Sequence, residues 1–424
     1  MARVSRVVLI ASLLTISTSA TGLPPAGLAP AGAATPTVVQ VSALTTHAGC
    51  ARMSDGTATC SGLNESGQLG NGTTTGSLTP VTVLNPAGTG PLTGVAQVVT
   101  GTFFACAVLT SGGVDCWGDN TYGQLGNGTK TSSLIPVAVL NTTGTGPLTG
   151  VVQVAAGKFH ACARLTNTTV DCWGDNGYYE LGDNTNLEHL LPNPVSNSAG
   201  SGPLANQVWI SVSQYDSCSV QSDGSARCWG LNQFGILGDG TQTPQPRPAG
   251  VKAVSGSGFL ANVKTISASP THTCALLKTG TVNCWGQNSF GQVGDGTAFT
   301  RLRPVVVKKA AGTPLVHVTQ VTTGGGSSAG DHSCAILSNR TAVCWGGNFF
   351  GQLGDGTRND RRRPVGVTNT IGKGLLSQVL AINAGPITTC ARTTGGTFCW
   401  GFNSGGQFGN GNAHNTTRPV RAKP

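Results

Sequence analysis

The sequence predicts an all-β protein, a seven-bladed β-propeller of four-stranded blades, and three observations predict it. The fourteen cysteines fall in seven pairs, 50/60, 106/116, 162/172, 218/228, 274/284, 334/344 and 390/399, whose first members recur every 56 residues apart from one interval of 60. A fixed period of this size marks a repeat architecture. Within a unit the residues alternate, with Cys106, Val108, Val114 and Cys116 on one face and Ala107 and Leu109 on the other, which is the period of strands. Each unit also carries four strand-length segments between glycine-rich turns, and four strands repeated seven times give one sheet per propeller blade.

The hairpin comes first in the unit. If Cys106 lies opposite Cys116, Val108 lies opposite Val114 and Thr110, Ser111 and Gly112 remain as a three-residue loop, whose last residue needs the left-handed conformation glycine supplies. Gly56, Gly224 and Gly280 hold the same place in other units. In the last pair, Cys390 and Cys399 are one residue closer, so Thr394 and Gly395 form a two-residue loop and the cysteines stay opposed. The shortened turn is what cross-strand disulfides require, because bridged Cα atoms lie within roughly 4.4 to 6.8 Å. Seven intra-hairpin disulfides are therefore expected: Cys50 with Cys60, Cys106 with Cys116, Cys162 with Cys172, Cys218 with Cys228, Cys274 with Cys284, Cys334 with Cys344 and Cys390 with Cys399.

After the hairpin an asparagine recurs (Asn64, Asn120, Asn348), then a Gly-Gln-Leu-Gly box (67–70, 123–126, 351–354), an Asn/Asp-Gly-Thr turn, and a Pro-Val strand such as Pro80-Val81 or Pro136-Val137. Proline is tolerated there because its missing donor need not enter the ladder. A glycine-rich connection and a valine-rich strand, Val95 to Val99 or Val151 to Ala155, follow. The chain has the strand-like Val38-Val39-Gln40-Val41 before its first hairpin and stops just after Pro419-Val420. Pairing of these N- and C-terminal strands is expected to complete the seventh sheet and remove the open edge. The four extra residues of the 60-residue interval fall between Gly324 and Gly330.

Arg3 and Arg6, the apolar run Val7 to Leu14 and small residues beyond have the layout of a secretory signal peptide. Both Thr18-Ser19-Ala20 and Ala31-Gly32-Ala33 offer a cleavage site, so residues 1–34 are expected to be a signal and a Pro/Ala-rich leader and residues 35–424 a single propeller domain. No second stretch approaches the ~20 apolar residues of a membrane span. A secreted, extracellular destination suits paired cysteines. Without Arg3 and Arg6, 23 basic residues face 16 acidic ones, a net charge of +7. The cluster Arg358, Arg361, Arg362 and Arg363 reads as solvated surface, and no nucleic-acid partner is expected.

Candidate chemistry is thin. Gly326-Ser327-Ser328-Ala329-Gly330 matches the esterase elbow, which works only on a strand-to-helix turn, and no helix is predicted. His160, His272 and His332 share a repeat position with Phe104, Asp216 and Thr388, which no metal ring would do. The nine residues between paired cysteines exceed zinc-knuckle spacing, and no alternating acidic ligands follow the Asp-Gly-Thr turns. Neither catalytic residues, metal ligands nor a cofactor are expected. One position does suggest contact with a partner: Tyr122, Tyr178, Phe234, Phe290 and Phe350 stand immediately before the box in five units. They either pack between blades or present an aromatic rim, and aromatics dominate interface hot spots.

Cys-Trp-Gly, present six times with Trp117, Trp173, Trp229, Trp285, Trp345 and Trp400 and replaced by Cys60-Ser61-Gly62 in the first unit, followed by Asn and the Gly-Gln-Leu-Gly box, resembles the regulator of chromosome condensation repeat family over residues 37 to 422. The resemblance implies a seven-bladed propeller. The family's founding member exchanges guanine nucleotides through a wedge-like insertion, which these even repeats lack. Other relatives are inhibitors of secreted β-lactamases that bind through aromatic-rich loops. The function expected is an exported, non-enzymatic, monomeric binding propeller that recognises a protein through one loop face. The alternatives are a secreted enzyme inhibitor of the β-lactamase-inhibitory type and an extracellular carbohydrate-active hydrolase or lyase, which would need paired carboxylates facing each other.

Overall fold

The cysteine hairpin is the centre of every blade. In the computed structural model, which describes residues 35–42, 47–326 and 330–423, Cys106 faces Cys116 and Val108 faces Val114. Leu109 and Gly113 close the loop through backbone hydrogen bonds, with Gly112 at φ +83°. All seven disulfides are formed, with Cα separations of 4.0 to 4.1 Å, the close approach of directly opposed antiparallel residues. Thr393 pairs with Gly396 in the last hairpin, so the shortened spacing leaves the two-residue turn predicted for it. Each bridge closes a loop of about ten residues within one hairpin, worth roughly 2 to 3 kcal/mol on the chain-entropy model. Replacing Cys162 and Cys172 together by alanine is expected to lower stability by about 1 to 3 kcal/mol without preventing folding. Cys162→Ala alone, which frees Cys172 to mispair, should depress the yield of folded protein more than the double change; yields and urea midpoints of both variants check this.

Among the described residues there are seven four-stranded antiparallel sheets, each in sequential order. The second blade shows the pattern: inner strand Val95–Thr100, hairpin strands Phe104–Leu109 and Val114–Gly118, outer strand Ser133–Ala138. The buried asparagine of each unit shapes the loop before the outer strand. Asn64 Oδ1 accepts from the Leu69 amide at 2.9 Å and its Nδ2 donates to the Thr73 and Thr75 carbonyls, so one side chain satisfies a turn that has no ladder of its own.

Blades are joined by the tryptophans. Trp117, Trp173, Trp229, Trp285, Trp345 and Trp400 are fully buried, and each indole donates to the carbonyl of the box's second residue in the preceding blade, as Trp173 does to Gln124 at 2.9 Å. The last glycine of that box lies flat against the ring: a Cβ on Gly126 would stand 2.8 Å from Trp173 Nε1. On the inner side, glutamines act as extra strand. The Gln97 amide donates to the Val154 carbonyl and accepts from the Val154 amide, and Gln40 and Gln153 do the same to Val98 and Ile210. The inner strands enclose a central cavity of about 610 Å³.

The pairing of chain ends does not occur. Val38–Val41 pairs with Ala48–Met53 as the inner strand of the first blade, and Thr416–Arg421 pairs with Gly396–Gly401 as the outer strand of the last. The valine-rich segment thus opens each blade instead of ending the repeat. The connection Gly101–Phe103 holds an inner strand beside the hairpin that follows it, so local antiparallel pairing prevails. The ring closes by side chains: Asn383 Nδ2 donates to the Val41 carbonyl at 2.8 Å, Ser61 Oγ to the Gln407 carbonyl at 3.4 Å, and Val41, Val420 and Ala422 cover Cys390, Cys399 and Phe408. The four-residue excess lies in the sixth blade, where residues 325–331 join Gly324 to His332. Ser327 to Ala329 of the elbow match, and the leader 1–34, lie outside the described residues. No helix among the described residues is long and apolar enough to cross a membrane.

Candidate functional site

In blades two to seven the connection from the inner strand to its hairpin reaches one mouth of the central cavity. Gly101, Gly157, Pro270, Gly325, Gly385 and Pro386 line that mouth, around an opening of about 150 Å³. The small residues leave the rim to the side chains beside them, which are aromatic in the first four blades.

The five aromatics singled out before the boxes occupy five successive blades, so they form an arc and not a single cluster. Tyr122 is 36% exposed and packs at a tilt against Phe159 of the next blade with ring centroids 4.8 Å apart; Tyr178 is 47% exposed and meets Tyr215 edge-on at 5.2 Å. Phe234 packs onto the blade core. Phe290 is partly buried, its amide bonded to Gln292 Oε1. Phe350 is also partly buried and packs edge-on against Phe349 and Phe402.

The partners of Tyr122 and Tyr178 are residues that sequence reasoning missed. His47, Phe103, Phe159 and Tyr215 each stand three residues before a hairpin cysteine, and that recurrence was the available signal. His47 contacts Phe103 at 4.5 Å, and Phe103 stacks on Phe159 at 6.3 Å. Lys158 Nζ lies 4.9 Å over the Phe159 ring and donates to the Tyr215 hydroxyl at 2.9 Å. A continuous aromatic belt with one ammonium set into it therefore runs across blades one to four, a surface for apolar contact, cation–π contact and hydrogen bonding.

The three histidines of the repeat lie in the third, fifth and sixth blades, and His160 directly follows the belt residue Phe159. His160, His272 and His332 are fully buried, each with Nε2 against a hydroxyl of the next blade: Ser217 at 3.1 Å, Ser333 at 2.7 Å and Thr389 at 2.7 Å. Those hydroxyls donate to box carbonyls and so accept from Nε2–H of His160 and His332, whose Nδ1 atoms are unpartnered, while His272 Nδ1 also meets the Ser269 hydroxyl at 3.0 Å. Burial holds all three down at about 3. Among the described residues no group of three His, Cys, Asp or Glu side chains is placed to hold a metal.

Two carboxylates break the repeat pattern at the junction of blades three and four. Glu180 replaces the box glutamine and Asp216 stands where three blades have histidine; both are fully buried, with Glu180 Oε1 and Asp216 Oδ2 unpartnered. Glu180 Oε2 accepts from the Tyr178 amide at 2.8 Å and Asp216 Oδ1 from the Ser213 hydroxyl. Burial pushes each up to about 8, well above the ordinary carboxylate range. The stability these neutral acids confer is fully present below their unfolded values near 4 and is lost as pH rises through 8, at up to about 1.4 kcal/mol per pH unit for each proton. Glu180→Gln restores the amide found at Gln124 and Gln292. It is expected to raise stability at pH 8 by about 1.4 kcal/mol or more and to flatten the profile between pH 5 and 8; urea midpoints across that range check it.

The chain matches the family model described as RCC1-like domain over residues 17–385. It is 29% identical over 303 residues to the ultraviolet-B receptor UVR8 of Arabidopsis thaliana, covering 72% of this chain and 63% of the receptor, just under two thirds of that relative's length. Human WBSCR16 superposes with a TM-score of 0.70 at 20% identity over 86% of this chain and 92% of that one. Prp20p from Saccharomyces cerevisiae, whose structure is described with its binding properties to Gsp1p and histones, superposes with a TM-score of 0.64 at 21% identity over 82% and 80%.

Proposed function

This chain belongs to the family of RCC1-like domains, and on that premise we propose that it is an exported, non-enzymatic binding propeller whose partner is a protein docking on the aromatic belt at the mouth of the channel. The observation that carries the reading is the belt itself: Phe103, Phe159 and Tyr215 linked to Tyr122 and Tyr178 across blade boundaries, with Lys158 between Phe159 and Tyr215. Large rings with a polar end offer buried area at low entropic cost, which is why they recur in hot spots. That the yeast relative Prp20p is described by its binding to Gsp1p and histones supports a protein as the partner. Seven disulfides support export, because thiols stay reduced in the cytosol.

A carbohydrate-cleaving role draws no support from Glu180 and Asp216, since fully buried carboxylates have no path to a glycosidic bond. The test is retrieval of a partner from culture supernatant by the mature protein. Tyr122→Ala with Tyr178→Ala should weaken capture at least tenfold, as loss of two contact aromatics costs on the order of 2 kcal/mol or more. Retrieval of nothing by the unaltered protein, or full capture by the double variant, rejects the reading.

A further inference from the structure

The residue before the proline of every outer strand is one repeat position. It is Thr79, Ile135 and Leu191 in the first three blades, and Arg247, Arg303, Arg363 and Arg418 in the last four. In each case where this side chain is long it lies across the preceding blade: Ile135 on Gly72 and Gly88, Arg303 on Gly240 and Gly256, Arg418 on Gly356 and Gly372. Arg247 lies likewise on Gly200, and Arg363 on Gly296 with Nη1 donating to the Ala310 carbonyl at 2.7 Å. The ring therefore has an outer rim that is uncharged at this position on one side and carries four guanidinium groups in succession on the other.

The charge of the whole chain follows the same division. Residues 35–202, the first three blades, hold 4 basic and 9 acidic residues, a net −5; residues 203–424, the last four, hold 19 and 7, a net +12. Carboxylates close to the arc are committed to other partners, Asp295 to Arg301 and Asp355 to Arg361. The Nε–H groups of Arg247 and Arg363 are buried without an acceptor. Apolar side chains are exposed along the same blades: Phe259 at 60%, Phe299 at 72%, Ile371 at 69%. Lys252, Val254, Leu302 and Arg303 together wall an open depression of about 450 Å³.

We propose that the outer rim of blades four to seven is a docking surface for an extended protein segment in which acidic and apolar residues alternate. Four arginines at a single repeat position present planar forks at a regular interval, and a fork binds a carboxylate through two parallel hydrogen bonds. The net positive half steers an acidic partner to that side and away from blades one to three. The exposed phenylalanines and isoleucine favour a polypeptide over duplex DNA, whose phosphate backbone contacts cations while its bases stay stacked inside. This surface rests on the protein-binding reading given above and adds a second contact region to it.

The test uses the full mature chain and a fluorescein-labelled synthetic peptide of alternating Glu and Leu, followed by anisotropy at low salt. The peptide should bind, Arg303→Gln with Arg363→Gln should weaken binding at least tenfold, and Lys130→Gln on the acidic side should leave it unchanged. If the double variant loses its thermal midpoint, Arg418→Gln alone is read instead, with about a threefold loss expected. The proposal is overturned if the arginine variants bind as well as the unaltered protein, if the same peptide with Gln for Glu binds equally, or if random-sequence duplex DNA at equal charge displaces the peptide. The variant with Tyr122→Ala and Tyr178→Ala should still bind the peptide. Capture of a supernatant partner that fails only in this aromatic variant, without peptide binding by the unaltered protein, sinks the arginine surface and leaves the belt standing.

Discussion

Trp173→Ala is expected to destabilise the folded ring by about 3 to 5 kcal/mol, the largest effect of any single side chain. The indole is fully buried in a cluster with Leu125, Val139 and Val154, donates to Gln124 of the neighbouring blade, and has Gly126 shaped to it. No neighbour is placed to collapse into the space, because the surrounding residues belong to two sheets whose separation the other junctions hold. Trp209 provides the contrast. It stands on the inner strand of the fourth blade, 37% exposed to the central cavity, and its indole donates to the Ile266 carbonyl at 2.9 Å, where other blades use glutamine. Trp209→Gln should therefore cost less than about 1.5 kcal/mol. Chemical denaturation of both variants checks the pair; equal losses would mean that junction packing is not what stabilises the ring.

The second large effect concerns the chain ends. Removing residues 416–424 takes away the outer strand of the last blade, including Val420 and Ala422 from the cluster around Phe408, and is expected to cost about 3 to 6 kcal/mol in lost burial and ladder hydrogen bonds. Removing 35–42 takes away an inner strand, with Gln40 bonded to both polar groups of Val98 and Val41 accepting from Asn383, and should abolish folding. Had the two ends shared one sheet, the two truncations would do equal harm. Thermal midpoint and protease resistance of the two proteins separate these outcomes.

Much of this architecture was legible because disulfide spacing reports register. A separation of ten from Cys106 to Cys116, and of nine from Cys390 to Cys399, specifies which residues face each other and how many remain for the turn, without reference to anything distant. The phase of the repeat was not legible in the same way. A valine-rich segment between two hairpins can pair with the one before or the one after, and the short link Gly101–Phe103 decides it only when connection lengths are weighed against a pattern that invites closure. Tyr122 and Tyr178 could be noticed as repeated aromatics, yet their partners Phe159 and Tyr215 come from the next blade, and proximity across a junction leaves no mark in one repeat. Glu180 stands at a position that is Gln in five other units, and Asp216 at one that is His in three; these departures become visible only when the units are laid over one another.

Ser61 has a consequence of its own. Six junctions are sealed by an indole, and the seventh, between the last blade and the first, has a hydroxyl bonded to Gln407 at 3.4 Å and Phe408 in place of the box leucine. A cavity of about 40 Å³ remains beside the two nearest disulfides. This is also the one boundary that no peptide bond crosses. The circle consequently has a built-in fault line, where covalent continuity and tight packing lapse together. Under heat or tension the ring is expected to part there first, turning a closed wheel into an open row of blades, which hydrogen exchange localised to the Ser61 and Gln407 segments would register.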